Sequence, residues 1–306
     1  MIIDMPDTTT TAVEKALVRL RDEGGAVALG RVLTLVIDAR AGDAECAIKA
    51  ANDASREHPC RVIVLAHDVR RKSAKLDAQI RLGGDAGASE VIILTASGEM
   101  LQHADTLVIP LLLPDAPIVA WWPNDMPDTP SEHPIGRMAQ RRITDTLACK
   151  DPLASLLLLR DGHAAGDTDL AWSRATVWRG LLAAALDQPP FEKVTHVEVT
   201  GHDTHPSVVL IAAWLAHALK CPVDIVRVKD APGITKVVLD RASGPVIIDR
   251  PDGRRAMLQQ PGQPERHMGM PLRELREVLS EELRRLDPDE VYGEVLQDGL
   301  ARIGVA

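Results

Sequence analysis

The sequence predicts an α/β protein in two parts: an N-terminal, mostly parallel sheet flanked by helices, and a smaller C-terminal α+β domain with a mixed sheet. In the first part, apolar and β-branched runs alternate with amphipathic segments, which is typical of βα units and a parallel sheet. After Pro189-Pro190 the pattern changes to short runs joined by turn sequences such as Pro251-Asp-Gly253, which favours an antiparallel meander. We therefore expect domains at residues 1–188 and 189–306.

The elements of the N-terminal part follow from the spacing of its apolar residues. An amphipathic helix is predicted over 8–23 and ends at Gly24-Gly25. Strands are predicted at 31–39, 61–67, 76–82, 90–96 and 117–122, and helices at 41–57, 98–106, 152–160 and 169–186. The proline-rich stretch 123–134 is predicted to be a loop that follows a strand's carboxyl end. Open α/β sheets usually bind ligands at that edge.

The C-terminal part begins with a predicted strand at 194–200, a helix at 207–219 and a strand at 223–228. The meander comprises short strands at 235–240, 246–249 and 256–260, because turn residues separate these apolar runs. Two helices, at 271–286 and 288–302, complete the prediction.

Composition excludes several classes of function. The chain has 306 residues, of which 45% are hydrophobic and only 2% aromatic, and its net charge is −9. An acidic chain lacks the basic footprint of a nucleic-acid binder. The apolar run 107–115 is broken by two prolines and is too short to span a membrane. No signal peptide is visible, so we expect a cytoplasmic protein without membrane partners.

No motif in the sequence names a reaction. Gly25 and Gly30 have the spacing of a phosphate-binding loop, but the lysine is missing and a strand follows instead of preceding them. His202 and His205 lack an obvious third metal ligand nearby, so we interpret them as solvated loop histidines. The four cysteines are scattered, which fits reduced thiols. The sequence therefore predicts no catalytic residue, no metal and no cofactor.

Several tryptophans and charged residues are nevertheless candidates for binding a partner or a ligand. A helix is predicted to start near Asp169, with Asp167 or Thr168 as its cap. Arg174 falls on one stripe of this helix with the apolar residues Leu170, Val177 and Leu181. We therefore expect Arg174 to be buried and paired with a carboxylate, Asp145 or Asp169. Trp172, Thr176 and Arg179 share another helix face with Asp169, a composition typical of binding hot spots. The full candidate set is Trp121, Trp122, Arg142, Asp145, Asp169, Trp172, Arg174 and Arg179. The alternative is that these residues only form packing anchors and buried ion pairs.

Long strings across the chain resemble the actinobacterial OpcA family. They include Gly166-Asp-Thr-Asp-Leu-Ala-Trp-Ser-Arg174 and Pro114-Asp-Ala-Pro-Ile-Val-Ala-Trp-Trp-Pro123. Further matching segments lie at 4–10, 20–36, 51–62, 76–81, 140–145 and 282–292. The resemblance spans essentially the whole chain.

This resemblance implies an assembly and activation factor for glucose-6-phosphate dehydrogenase in the oxidative pentose phosphate pathway, with that enzyme as its partner and without catalytic residues. One alternative is a sensor or enzyme that binds a sugar phosphate or nucleotide, with Trp122, Arg142, Asp169 and Arg174 forming the crevice. A small-molecule ligand is thus possible, and both functions hold together if a metabolite gates the partner interaction.

Overall fold

The computed structural model describes residues 1–23, 32–83 and 90–305, except for the side chain of Arg21. Most of the glycine-spaced segment 25–32 lies outside the described residues, as do residues 84–87 of a second glycine-rich sequence, Gly83-Gly-Asp-Ala-Gly87, which suggests a tight turn. The chain forms two compact units. The first comprises Met1–Asp145, Gly166–Thr168 and Leu275–Pro288, and the second comprises Thr146–Ala165, Asp169–Glu274 and Asp289–Ala306.

An eight-stranded sheet organises the first unit. Its strands, in chain order, are β1 (Ile2–Met5), β2 (Leu33–Arg40), β3 (Cys60–His67), β4 (Lys75–Arg81), β5 (Glu90–Ser97), β6 (Ile118–Trp122), β7 (Arg141–Thr144) and β8 (Asp167–Asp169). Their spatial order is β1-β4-β5-β3-β2-β6-β7-β8. The strands from β5 to β7 run parallel, whereas β1 and β4 pair antiparallel at one side. Seven of the eight residues of β2 are buried, as expected where both faces of a parallel sheet are covered.

A six-stranded mixed sheet organises the second unit. It contains β9 (His196–His202), β10 (Val223–Val228), β11 (Ile234–Asp240), β12 (Val246–Asp249), β13 (Arg255–Gln259) and β14 (Arg266–Gly269). Its order is β10-β9-β11-β12-β13-β14, and only β9 and β10 are parallel. The predicted fold class, a mostly parallel N-terminal sheet followed by a mixed sheet, is confirmed.

Eleven α-helices lie in the described part of the chain. They are α1 (Thr10–Glu23), α2 (Ala44–Ala54), α3 (Ala104–Val108), α4 (Pro134–Met138), α5 (Pro152–Asp161), α6 (Leu170–Arg174), α7 (Thr176–Leu186), α8 (Pro206–Leu219), α9 (Leu275–Arg284), α10 (Glu290–Glu294) and α11 (Leu300–Arg302). A π-helical segment, Val295–Gly299, joins α10 to α11. Among these described helices, none combines the length and the apolar character that crossing a membrane demands.

The predicted helix over 169–186 is two helices, and its start is set by a different residue than expected. Asp167 and Thr168 lie in β8 and do not adjoin α6, which begins at Leu170, so neither caps the helix. Asp169 takes that role, because its carboxylate accepts a hydrogen bond from the Ala171 N–H at 2.8 Å. The predicted apolar stripe is also wrong: Val177 is 42% exposed, since the interruption between α6 and α7 changes which residues share a face.

The limits of the compact units differ from the predicted division after residue 188. Ala175, Trp178 and Leu182 pack in the same core as residues of the mixed sheet, and 275–288 belongs to the first unit. Hydrophobic burial gathers these segments irrespective of the proline pair at 189–190. The division into domains at residues 1–188 and 189–306 stays a prediction.

Candidate functional site

A carboxylate, two imidazoles and an indole meet at the carboxyl edge of the parallel sheet. Asp38 lies near the end of β2, between β3 and β6. It accepts a hydrogen bond at 3.1 Å from the indole nitrogen of Trp122, the last residue of β6. His67, the last residue of β3, places Nε2 at 2.6 Å from the other Asp38 oxygen, and His133 Nε2 lies 3.7 Å from the carboxylate. We call these four residues the Asp38 cluster.

The Asp38 cluster occupies the position where an open α/β sheet changes direction. The chain adds β3 and β5 on one side of β2, and then β6 and β7 on the other. The resulting crevice outside the carboxyl ends is the usual ligand position of such sheets. Here the four residues of the cluster line a cavity of about 250 Å³.

The two histidines of the Asp38 cluster differ in their affinity for protons. The hydrogen bond with Asp38 raises the pKa of His67 above its usual value, although burial opposes this shift. Burial lowers the pKa of His133, and the nearby Asp38 charge only partly offsets that effect. The buried carboxylate therefore favours a charged imidazole at His67 and tolerates a neutral one at His133.

The connection from β2 to α2 does not favour a phosphate. Dinucleotide-binding folds place glycines and a helix N-terminus here, so that backbone N–H groups meet the pyrophosphate. In this chain Asp43 precedes α2 and Glu45 lies in its first turn. These carboxylates occupy the positive end of the helix and would repel an anion.

Four of the predicted candidates lie in the first unit, and all are buried: Trp121, Trp122, Arg142 and Asp145. Arg142 forms an ion pair through Nε with Asp167, and its Nη1 donates a hydrogen bond at 2.9 Å to the carbonyl of Ala139. Trp122 donates to Asp38, as described above. The structure therefore places these side chains within the fold, and Trp122 lines a cavity there.

The other four candidates lie in the second unit. Asp169 is fully buried and accepts hydrogen bonds from the backbone N–H and hydroxyl of Thr146 at 2.9 and 2.8 Å. Arg179 stacks at 3.6 Å over the ring of Trp172, and its Nη2 donates to the Thr176 hydroxyl at 2.9 Å. Arg179 thus contacts both Trp172 and Thr176, although Trp172 lies in α6 and the other two residues lie in α7. Arg174 is half-buried, and its pairing with Asp145 or Asp169 stays a prediction.

A cavity of about 280 Å³ in the second unit gathers cationic residues that the sequence analysis did not connect. Arg174, Arg250 and Arg273 line it, together with apolar residues and the first turn of α8. His205 caps α8, because its Nδ1 accepts a hydrogen bond from the Ser207 N–H at 3.2 Å. Burial lowers the pKa of His205 to about 4, and the charge of Arg174 adds to the effect.

His205 is therefore not the solvated loop histidine that the sequence suggested. The described residues contain no group of three or more His, Cys, Asp or Glu side chains arranged to hold a metal ion. Sequence reasoning missed a signal of position. His205 directly precedes Pro206, which opens an apolar helix. Asp38 lies near the end of one buried parallel strand, and His67 is the last residue of another.

Two family models match this chain and define its class. A family model described as the N-terminal domain of the glucose-6-phosphate dehydrogenase subunit matches residues 51–161. A second, described as the C-terminal domain of the same subunit, matches residues 165–296. The chain is thus built from these two domains, in that order. It belongs to the OpcA family of glucose-6-phosphate dehydrogenase assembly proteins, which confirms the resemblance found in the sequence.

A curated relative carries the same family name. It is OpcA of Synechocystis sp., named for the OxPP cycle, and it is 25% identical over 188 residues. The match covers 56% of this chain and 39% of that protein, so the chain spans about two fifths of the relative's length.

Solved structures offer only distant likeness. UDP-N-acetylglucosamine 3-dehydrogenase GnnA from Acidithiobacillus ferrooxidans matches with a TM-score of 0.34 and 8% identity, over 90% of this chain and 97% of that one. A chain described as trehalose-6-phosphate from E. coli, bound with UDP-2-fluoro glucose, matches with a TM-score of 0.27 and 11% identity, over 63% of each chain. Likeness at this level carries no argument about activity.

Proposed function

We propose that this chain is a non-catalytic assembly and activation factor that binds glucose-6-phosphate dehydrogenase and promotes its active state in the cytoplasm. The observation that carries the proposal is the tandem match to both domains of the family. Membership of that family makes the chain a factor associated with the dehydrogenase and with the oxidative pentose phosphate pathway. Direct binding and activation are the further steps that we propose.

The roles of the candidate residues support a protein that binds rather than one that turns over a substrate. Arg142 and Asp169 are hydrogen-bonded within their own units, so they are poor ligand groups for the crevice considered from the sequence. The start of α2 is acidic, where a dinucleotide-binding protein needs an anion site. Activation then requires that the chain bind the active state of the dehydrogenase more tightly than the inactive state.

We propose the face around Arg179 as part of the contact. Trp172 is 1% exposed, and its indole nitrogen donates to Asp289 at 2.8 Å, so the ring is held in place. The carbon Cζ of Arg179 lies 3.6 Å from the centre of this ring, and Arg179 is half-buried. A guanidinium held in advance on an aromatic ring loses little entropy on binding, and Arg and Trp are enriched at interface hot spots. Trp121 and Trp122 are buried and could only support a contact indirectly.

The test combines gel filtration with dehydrogenase kinetics. The full chain and purified dehydrogenase should elute together, and dehydrogenase activity or its oligomeric state should change as the chain is added. Arg179→Gln should raise the concentration of the chain that gives half of the maximal effect by about thirtyfold, which is the loss of affinity typical of a hot spot. Arg302→Gln, at an exposed arginine of α11 in the same unit, is the matched control and should act like the unchanged protein.

Two results would count against this proposal at different levels. Failure of the two proteins to elute together, with unchanged dehydrogenase activity over a wide concentration range, would refute the assembly function. Normal activation by Arg179→Gln, with the fold intact by circular dichroism, would refute only the proposed contact face.

A further inference from the structure

The cavity of the second unit has the composition of an anion site. We call it the arginine cavity, and its lining comprises Arg174, Arg250, Arg273, His205, Ser207 and Trp178, with apolar walls completed by Leu147, Pro232, Ile234 and Leu272. No lining residue in the described part of the chain is acidic. Three arginines that line one space favour a ligand with more than one negative charge.

Arg250 provides the strongest evidence that the arginine cavity binds an anion. It is 5% exposed, and its guanidinium donates to the carbonyls of Ile234 at 2.7 Å and Met270 at 3.3 Å. Its carbon Cζ lies 5.1 Å from the ring centroid of Trp178, and among the described residues its Nε has no hydrogen-bond partner. Neutral carbonyls and a ring do not compensate the charge, and a buried charge without a counter-ion is costly. Burial accordingly lowers the pKa of Arg250, and the charge of exposed Asp252 only partly opposes this shift.

The first turn of α8 adds a second attraction for an anion. This helix has 14 residues, and its N-terminal residues His205 and Ser207 line the arginine cavity. The N-terminus of a helix carries a partial positive charge. Because Nδ1 of His205 accepts the Ser207 N–H, a neutral His205 carries its proton on Nε2 and can donate from there.

Cavity size and chemistry narrow the class of ligand. A volume of about 280 Å³ is at the small end of ligand pockets, so the cavity suits a small ligand better than a dinucleotide. Leu147, Leu272 and Trp178 give one part of the wall an apolar surface, which suits an organic group attached to the anion. We propose that the arginine cavity binds a small phosphate monoester, with the phosphoryl oxygens facing the arginines and the first turn of α8.

The experiment uses the full chain alone, so its outcome is independent of dehydrogenase binding. Isothermal titration would compare a hexose 6-phosphate, inorganic phosphate, the neutral hexose and succinate. We expect the hexose phosphate to bind more tightly than inorganic phosphate, and the neutral hexose not to bind. Succinate, a dianion of different shape, should bind at least about tenfold more weakly than the hexose phosphate, because it lacks the tetrahedral oxygens.

Variants then locate the binding. Arg273→Gln and Arg250→Gln should each weaken hexose phosphate binding by about 10- to 100-fold, the value of one hydrogen bond to a charged group. Arg302→Gln, outside the cavity, should leave it unchanged. If Arg250→Gln does not fold, Arg174→Gln replaces it.

Three outcomes would overturn the proposal: no binding of either phosphate at millimolar concentration, equal affinity for succinate and the hexose phosphate, or undiminished binding by the folded cavity variants. None of these outcomes would bear on co-elution with the dehydrogenase.

Discussion

Protonation of His205 should destabilise the second unit as the pH falls. His205 caps α8 through Nδ1, lies beside Arg174, and has its pKa lowered to about 4. Its usual value is 6.5, so the unfolded chain binds the proton more readily than the folded one. The stability associated with the neutral ring is fully present above pH 6.5 and is lost as the pH falls from 6.5 towards 4.

The size of the effect follows from the two pKa values. At pH 5 the unfolded imidazole is almost fully protonated, whereas the folded one, with a pKa of about 4, is mostly neutral. Linkage then predicts that the free energy of unfolding falls by about 2 kcal/mol between pH 7 and pH 5 because of this group alone. Asn at position 205 keeps an N-cap acceptor but cannot be protonated in this range, so His205→Asn should remove the loss.

Urea unfolding followed by tryptophan fluorescence would measure this effect at pH 7, 6 and 5. The quantity to compare is the difference in unfolding free energy between His205→Asn and the unchanged protein, because contributions from other titrating groups cancel. We expect the variant to gain about 2 kcal/mol relative to the unchanged protein between pH 7 and pH 5. His267→Asn, at an exposed histidine of β14, is the control. A difference that does not vary with pH would show that the reasoning is wrong.

Three further predictions concern the first unit, each read by chemical unfolding. His67→Gln should remove the stability that the ion pair between His67 and the buried Asp38 contributes. Because the pKa of His67 is raised in the folded protein, this loss should be largest below pH 6.5 and should vanish as the pH rises through the folded pKa. A loss that does not depend on pH would contradict this reasoning. Arg142→Met, which leaves the buried Asp167 without its ion pair, should cost about 3–5 kcal/mol, and adding Asp167→Asn should recover part of it; a cost below about 1 kcal/mol would argue against a buried pair. Gly166 has φ +93°, and a Cβ at this position would collide with a backbone carbonyl, so Gly166→Ala should lower the free energy of unfolding by about 3 kcal/mol or more. A Cβ at Gly42 has open space, so Gly42→Ala should cost less than about 1 kcal/mol. Equal costs would refute the steric argument.

The structure extends the sequence prediction at the edges of the sheets. The apolar runs predicted β2, β3, β5 and β6, because strands buried on both faces consist of continuous hydrophobic residues. The short strands β1, β7, β8 and β14 were not predicted. These strands have only three or four residues each, and Asp167-Thr-Asp169 in addition carries little intrinsic strand preference. Pairing with a neighbouring strand decides their conformation.

The proximity of Arg179 to Trp172 and Thr176 could be predicted from helical spacing, although the helix is interrupted at Ala175. A single turn of helix preserves the i, i+3 relation between Thr176 and Arg179, and this relation requires no knowledge of the rest of the fold. The capping residue was predicted wrongly: the sequence favoured Asp167 or Thr168 and placed Asp169 in the first turn, whereas Asp169 is the cap.

The two cavities depended on tertiary structure. Asp38, His67 and Trp122 come from three strands, and only the order β3-β2-β6 places their side chains together. Arg174, Arg250 and Arg273 are likewise far apart in sequence. The sequence predicted burial for Arg174 alone, and no pattern linked it to the other two arginines of the cavity. Periodicity reports which residues of one element face the same side. It does not report which elements become neighbours, because strand order and packing arise from burial over the whole chain. The sequence thus determined the class of fold, the family and the main helices and strands, whereas the charged sites required the contacts that only folding brings about.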